Sequence, residues 1–222
     1  MTALKRTLPQ PNLTAAEART RAVAGLYAFK ADTLGQSLPA AEKQALAAAR
    51  LDAANLARRI EANEHVGPVL VEIRGYDLNT KGVKGENDRG LWDDALVLLW
   101  IDGAKTTILA SIRGNVDPSR HRTGIAFKHG PQHYRVRLGH HRNRLGLRQA
   151  SPVLIDRDGT GGVEYRIDPA RWPYVNIHDD RGWGTGSEGC STAPPDDFAI
   201  LFAAARSLGT IDVVLVDEKA FR

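Results

Sequence analysis

The chain has a single cysteine in 222 residues, few aromatic side chains and no long apolar run. One cysteine excludes an internal disulfide, so packing must hold the fold and the thiol stays unpaired. The longest apolar stretch, 95–101, is far shorter than the roughly 20 residues a membrane helix needs. Lys5 and Arg6 lie in the N-terminal stretch 1–12 with no apolar segment behind them, so no Sec signal peptide is expected. The expected product is a water-soluble protein made in the cytoplasm, with no membrane association.

Charge is unevenly placed. The formal net charge is +4, and much of the basic excess falls between Arg113 and Arg148, with most of the histidines. That stretch holds Arg113, Arg120, Arg122, Lys128, Arg135, Arg137, Arg142, Arg144 and Arg148. Such a patch attracts polyanions, nucleic acid and anionic cell-wall polymers among them. No recognised nucleic-acid motif accompanies it, so a solvated basic face is expected and no nucleic-acid partner.

Two helices are expected between 14 and 63. Thr14-Ala15-Ala16-Glu17 forms a capping box, in which each side chain satisfies a free backbone donor of the first turn. Val23, Leu26, Tyr27 and Leu34 give the first helix an apolar side, and Gly35 ends it. Pro39 suits the start of the second helix, whose seam is Leu46, Ala49, Ala53, Leu56 and Ile60. Gly67-Pro68 then marks a change to β-rich sequence. Strands are expected at 69–73, 95–101, 106–112, 134–138, 152–155, 163–167, 174–178 and 211–216, with a helix from Pro194-Pro195-Asp196 to about Ser207. Asp102-Gly103 is a hairpin signal, and Asp158-Gly159-Thr160-Gly161-Gly162 a second turn. The expected class is α+β, mainly a β-sandwich or barrel-like domain over 66–222, with an N-terminal helical hairpin over 1–65 packed on it.

Cys190 lies in Gly184-Thr185-Gly186-Ser187-Glu188-Gly189-Cys190-Ser191-Thr192. A structural cysteine usually fills an apolar core position; this one has small and polar neighbours and no apolar periodicity. His178 ends the strand-like run upstream. A thiol must lose its proton before it attacks an amide, and His178 is the expected acceptor, returning the proton to the leaving amine. The ring needs an orienter, either Asp179 or a nearby backbone carbonyl. Gly186 and Gly189 allow close approach of substrate to backbone, and the N–H groups of Gly189 and Cys190 are the expected oxyanion hole.

The run Asn176-Ile177-His178, followed by Gly182, Gly184 and Ser187-Glu188-Gly189-Cys190-Ser191-Thr192, resembles the catalytic signature of the L,D-transpeptidase family with the YkuD-type catalytic domain. It is similar to a divergent branch with a shortened His-to-Cys loop. Residues 134–141, Leu147-Arg148-Gln149 and Asp156-Arg157-Asp158-Gly159 extend the resemblance, which covers roughly 69–192 and not the helical N-terminus. It implies a bacterial enzyme without cofactor that attacks the third residue of a peptidoglycan stem peptide and releases terminal D-Ala. The thioacyl-enzyme then passes to an amine, giving a cross-link, or to water, giving carboxypeptidase or endopeptidase activity. Action in the periplasm or cell wall without a Sec signal implies a phage lytic factor or a secreted antibacterial effector, with an immunity or delivery protein as partner.

The sequence departs from the family pattern at two places. Glu188 stands where the family has histidine, and another histidine, His140 or His141, is the candidate source of the missing positive charge. Ser191-Thr192 replace an aliphatic-then-basic pair, which leaves Arg148 or Arg113 as the candidates for substrate-carboxylate recognition; the alternative for either arginine is a plain surface charge. Ser187, Glu188 and His141 complete the expected substrate-binding set. A zinc site at His129 and His133 is not expected, since Gly130 and Pro131 between them preclude a shared helical face. Adjacent His140 and His141 would point opposite ways on a strand, and His121 is expected in a loop. The rival reading is an inactive relative that binds cell-wall peptides or a partner protein.

Overall fold

The computed structural model describes residues 10–33, 37–76, 92–116, 126–141, 143–157, 162–166, 175–180 and 189–221. Helices α1 (Ala15–Ala31) and α2 (Ala40–Glu61) form the N-terminal hairpin. Strands β1 (Val66–Arg74), β2 (Asp94–Asp102), β3 (Lys105–Gly114), β4 (Ala126–Lys128), β5 (Gln132–His141) and β6 (Arg144–Gln149) follow. Then come β7 (Val153–Arg157), β8 (Gly162–Arg166), β9 (Ile177–Asp179), β10 (Ser191–Ala193), α3 (Pro195–Ala205), β11 (Thr210–Asp217) and a closing 3-10 turn, Glu218–Phe221. The chain is α+β, as its sequence pattern predicts.

Eight strands make one mixed sheet in the order β10-β9-β6-β5-β11-β1-β2-β3, and β4-β7-β8 form a small second sheet. The two edges of the large sheet meet: Asn115 and Thr192 exchange backbone hydrogen bonds of 2.7 and 2.9 Å. Gly114 permits that approach, because a Cβ there would stand 3.2 Å from the Thr192 carbonyl oxygen and 2.8 Å from Leu96. Strand alternation sorts the core into two clusters. Leu70, Leu96, Leu98, Tyr134, Val136, Leu147, Ile177 and Val213 pack with Phe198 and Leu201 of α3. Val69, Val71, Val97, Leu99, Val214 and Val216 face the hairpin, which contributes Leu26, Phe29, Leu46 and Ile60.

The capping box forms: Thr14 Oγ1 accepts from the Glu17 N–H, and Glu17 accepts from the Thr14 N–H. The inner side of α1 differs from the expected one. Ala18, Ala22, Gly25, Leu26 and Phe29 are buried, while Val23 and Tyr27 only flank the core. Small residues let α1 lie close on β11, which an apolar-size count does not anticipate. Leu34 and Gly35 lie outside the described residues. No helix among the described residues is long and apolar enough to cross a membrane.

Candidate active site

Four strands assemble the site. Parallel pairing sets Thr192 of β10 beside His178 of β9, and Ile177 pairs with Leu147 of β6. Across the β5–β6 hairpin His141 faces Arg144 and Gly139 faces Gly146. Gly146 lets β6 approach β9, since a Cβ there would sit 3.0 Å from the Ile177 carbonyl oxygen. The rings of His141 and His178 stack, centroids 4.8 Å apart and 9° from parallel. One ring nitrogen of each, and the Cys190 Sγ, lie within 4.8 Å of one another. Cys190 is buried and both histidines are half-buried, so the rings rim a recessed thiol.

A main-chain carbonyl orients the His178 ring. His178 Nδ1 donates to the Asp179 carbonyl oxygen at 2.5 Å, which leaves Nε2 as the basic atom of the neutral ring. The Asp179 carboxylate instead binds Arg144 at 2.6 Å. Of the two orienters expected from sequence, the backbone carbonyl holds the ring. Gly189, the first expected oxyanion donor, is buried with φ of 144°, a conformation natural to glycine and strained for other residues.

Asn176 was visible in the sequence only as part of a run, yet it contacts most of the site. It is buried; its Oδ1 accepts from the Gln149 N–H at 2.9 Å and its Nδ2 meets His141 Nδ1 at 2.8 Å. Its own N–H points at Cys190 Sγ, 3.5 Å away, and its carbonyl accepts from the Ser191 N–H at 2.8 Å. Two imidazoles and a thiol also suit a soft transition metal. Asn176 opposes that use: a metal-bound histidine ordinarily donates its second N–H, and His141 Nδ1 faces a donor.

The remaining expected residues are scattered. Arg113 on β3 binds the Asp197 carboxylate of α3 at 3.0–3.1 Å, a structural ion pair rather than an open guanidinium. Arg148 is exposed on β6 opposite Arg137, its side chain lying over Gly139. His140 is exposed and, by strand alternation, on the face opposite His141, so His141 is the second histidine of the site. His133 binds Asp212 at 2.8 Å, and His129 lies 3.8 Å from Asp32, each with its own partner. Ser187, Glu188, Gly182, Gly184, Gly186, His121 and the 158–161 part of the predicted turn lie outside the described residues.

A second polar cluster, unforeseen from sequence, lies behind the thiol. Lys128 and Glu72 form a fully buried ion pair at 2.6 Å. Tyr134 donates to Glu72 at 2.9 Å, and Ser191 donates to Glu72 while accepting from Lys128. Burial, then the Glu72 charge, pushes the Tyr134 hydroxyl well above its ordinary value. Ser191, the residue after Cys190, is thereby tied to Glu72 of β1 and Lys128 of β4. Comparison with protein-family models, curated proteins and solved structures finds no match to this chain.

Proposed function

We propose that the protein is a cysteine acyltransferase or hydrolase acting on peptidoglycan stem peptides, with a fold of the L,D-transpeptidase type. One observation carries the enzymatic part: a recessed thiol with two imidazole nitrogens within 4.8 Å, one ring held through its Nδ1 by a backbone carbonyl. The stem-peptide substrate rests on the sequence signature around Cys190. In the reaction, the Cys190 proton passes to His178 Nε2 and sulfur bonds the carbonyl carbon of the third stem residue. The tetrahedral oxyanion is received by the N–H groups of Gly189 and Cys190, each donor worth on the order of 3 kcal/mol. As the C–N bond to D-Ala breaks, His178 returns its proton to the departing amine. An amine or water then attacks the thioester and restores the thiol. Arg148 is the proposed carboxylate contact. Delivery to the periplasm or cell wall by lysis or a dedicated secretion machine, with an immunity or delivery partner, belongs to the same reading.

Mass spectrometry of muropeptides incubated with the protein tests it. The expected result is conversion of tetrapeptides to tripeptides, new cross-links or cut cross-links, abolished by Cys190→Ala and by His178→Ala in chains that remain folded. Unchanged muropeptides with wild-type protein, or unchanged turnover in Cys190→Ala, overturn the proposal and favour the peptide-binding alternative.

A further inference from the structure

We infer that Asn176 is a positioning residue that fixes His141 as the neutral Nε2–H tautomer, so that the stacked imidazole pair takes up one proton and holds it on His178. The inference rests on the reading of Cys190 as nucleophile and His178 as its base.

The chain of hydrogen bonds starts from an unambiguous donor. A backbone N–H, that of Gln149, faces one side-chain atom of Asn176 at 2.9 Å, so that atom is the carbonyl oxygen. The other atom is therefore the NH2 group, and it donates to His141 Nδ1 at 2.8 Å. Nδ1 must carry a lone pair, which places the His141 proton on Nε2 and leaves the ring neutral. Protonating His141 would set an N–H against an N–H. His178 has the opposite polarity. Its Nδ1 faces a carbonyl oxygen at 2.5 Å, and that bond survives when Nε2 gains a proton. Two parallel rings 4.8 Å apart repel if both are charged, and these two backbone-anchored bonds decide which ring takes the charge.

The charged neighbours do not reverse this assignment. Arg144 of β6, the cross-strand partner of His141, is ion-paired with Asp179 of β9. His178 and the Cys190 thiol are the titratable groups of the cluster itself, with Asp180 buried at the end of β9. Asn176 also places its N–H on Cys190 Sγ, so one residue sets both the tautomer and a donor to the nucleophile. His141 then supplies an Nε2–H donor for the thiolate or the developing oxyanion without competing for the proton. This differs from the positive charge that the sequence pattern led one to expect there.

Long-range 1H–15N NMR of the uniformly labelled full chain reads the histidine tautomers directly, with signals assigned through His141→Gln and His178→Gln. The expected result at neutral pH is His141 protonated on Nε2 only, and His178 on Nδ1 with Nε2 gaining the proton on acidification. Asn176→Asp keeps the acceptor for Gln149 but replaces the donor to His141. It should move a proton onto His141 Nδ1, shift the acid limb of the pH–rate profile and lower turnover about tenfold or more, as wrong-tautomer histidines do. Cys190 should remain alkylable by iodoacetamide. A wild-type His141 protonated on Nδ1, or an Asn176→Asp chain with unchanged tautomer and pH profile, overturns the inference. Tautomers and alkylation need no substrate, so unchanged muropeptides would sink the proposed substrate and leave this inference standing. Should the Asp variant not fold, the wild-type tautomer decides alone.

Discussion

Lys128 and Glu72 have no exposed side-chain surface, and their charges lie 2.6 Å apart with Tyr134 and Ser191 filling the remaining hydrogen-bond positions. Desolvating two ions costs several kcal/mol each, which mutual attraction offsets only when the geometry is complete. The pair is therefore weak evidence of net stabilisation but a strong constraint on what can be removed. Lys128→Met leaves Glu72 buried and unpaired, and should lower unfolding free energy by about 3–5 kcal/mol. Glu72→Leu with Lys128→Met removes both charges and should recover much of that loss. Urea denaturation of the two variants checks this. A double variant as unstable as the single one would show that the cluster stabilises in its own right. The stacked His141–His178 pair obeys similar electrostatics. Two like charges 4.8 Å apart would repel by about 3 kcal/mol at an effective dielectric of about 20, enough to keep one ring neutral.

The strength of an element depends on what its residues meet, and α1 is the clearest case. A Cβ at Gly25 would lie 2.2 Å from Val216 Cγ1 and 2.8 Å from Val214 Cγ1. Alanine would gain about 1 kcal/mol of helix propensity over glycine, but overpacking against two stiff β-branched side chains costs about 1–3 kcal/mol. Crowding at this depth should win, so Gly25→Ala is expected to lower Tm by a few degrees in a scanning calorimeter; a rise would mean that α1 can lift off β11. The same logic explains what the sequence reveals. Both hairpin helices announce themselves through the Thr14 box and the α2 seam. The long strands β1, β2, β3, β5 and β11 do so through their apolar residues. β4 and β10 are three residues each, too short for a period, and β6 has two arginines, a glutamine and a glycine among its six residues. Cys190 and His178 stand out in the sequence as a lone thiol and an imidazole, and the β9–β10 pairing brings them together. Asn176, Glu72 and Lys128 were not, because register between distant strands brings them to Cys190, His141 and Ser191. Arg113 suggested a carboxylate site, and only the tertiary fold supplies Asp197 as its partner.

On the scale of the whole molecule, the sheet brings its edges together at Asn115–Thr192, and Asp94 joins the ends of β1 and β3 by accepting from the Gly75 and Val116 N–H groups at 2.5 and 2.6 Å. On the acid side three groups packed against this core, His65, His129 and Asp212, act in one direction. Burial, aided by the Arg59 charge, holds His65 below 6.5, and burial holds His129 below 6.5 despite Asp32 nearby. Burial alone would raise Asp212, but His133 and Arg135 more than offset it and hold the carboxyl below 3.8. For each group the unfolded chain binds the proton more readily than the folded one, so acid favours unfolding. The histidine contribution is fully present above pH 6.5 and is lost as pH falls from 6.5 through the lowered folded values. The Asp212 contribution is lost at lower pH, below 3.8. Thermal melts across pH should therefore show stability declining below 6.5 and again below 3.8. A chain carrying His65→Gln and His129→Gln should lose the first decline and keep the second. An unchanged first decline in that variant would assign the acid sensitivity to other groups and contradict the lowered proton affinity of these two histidines.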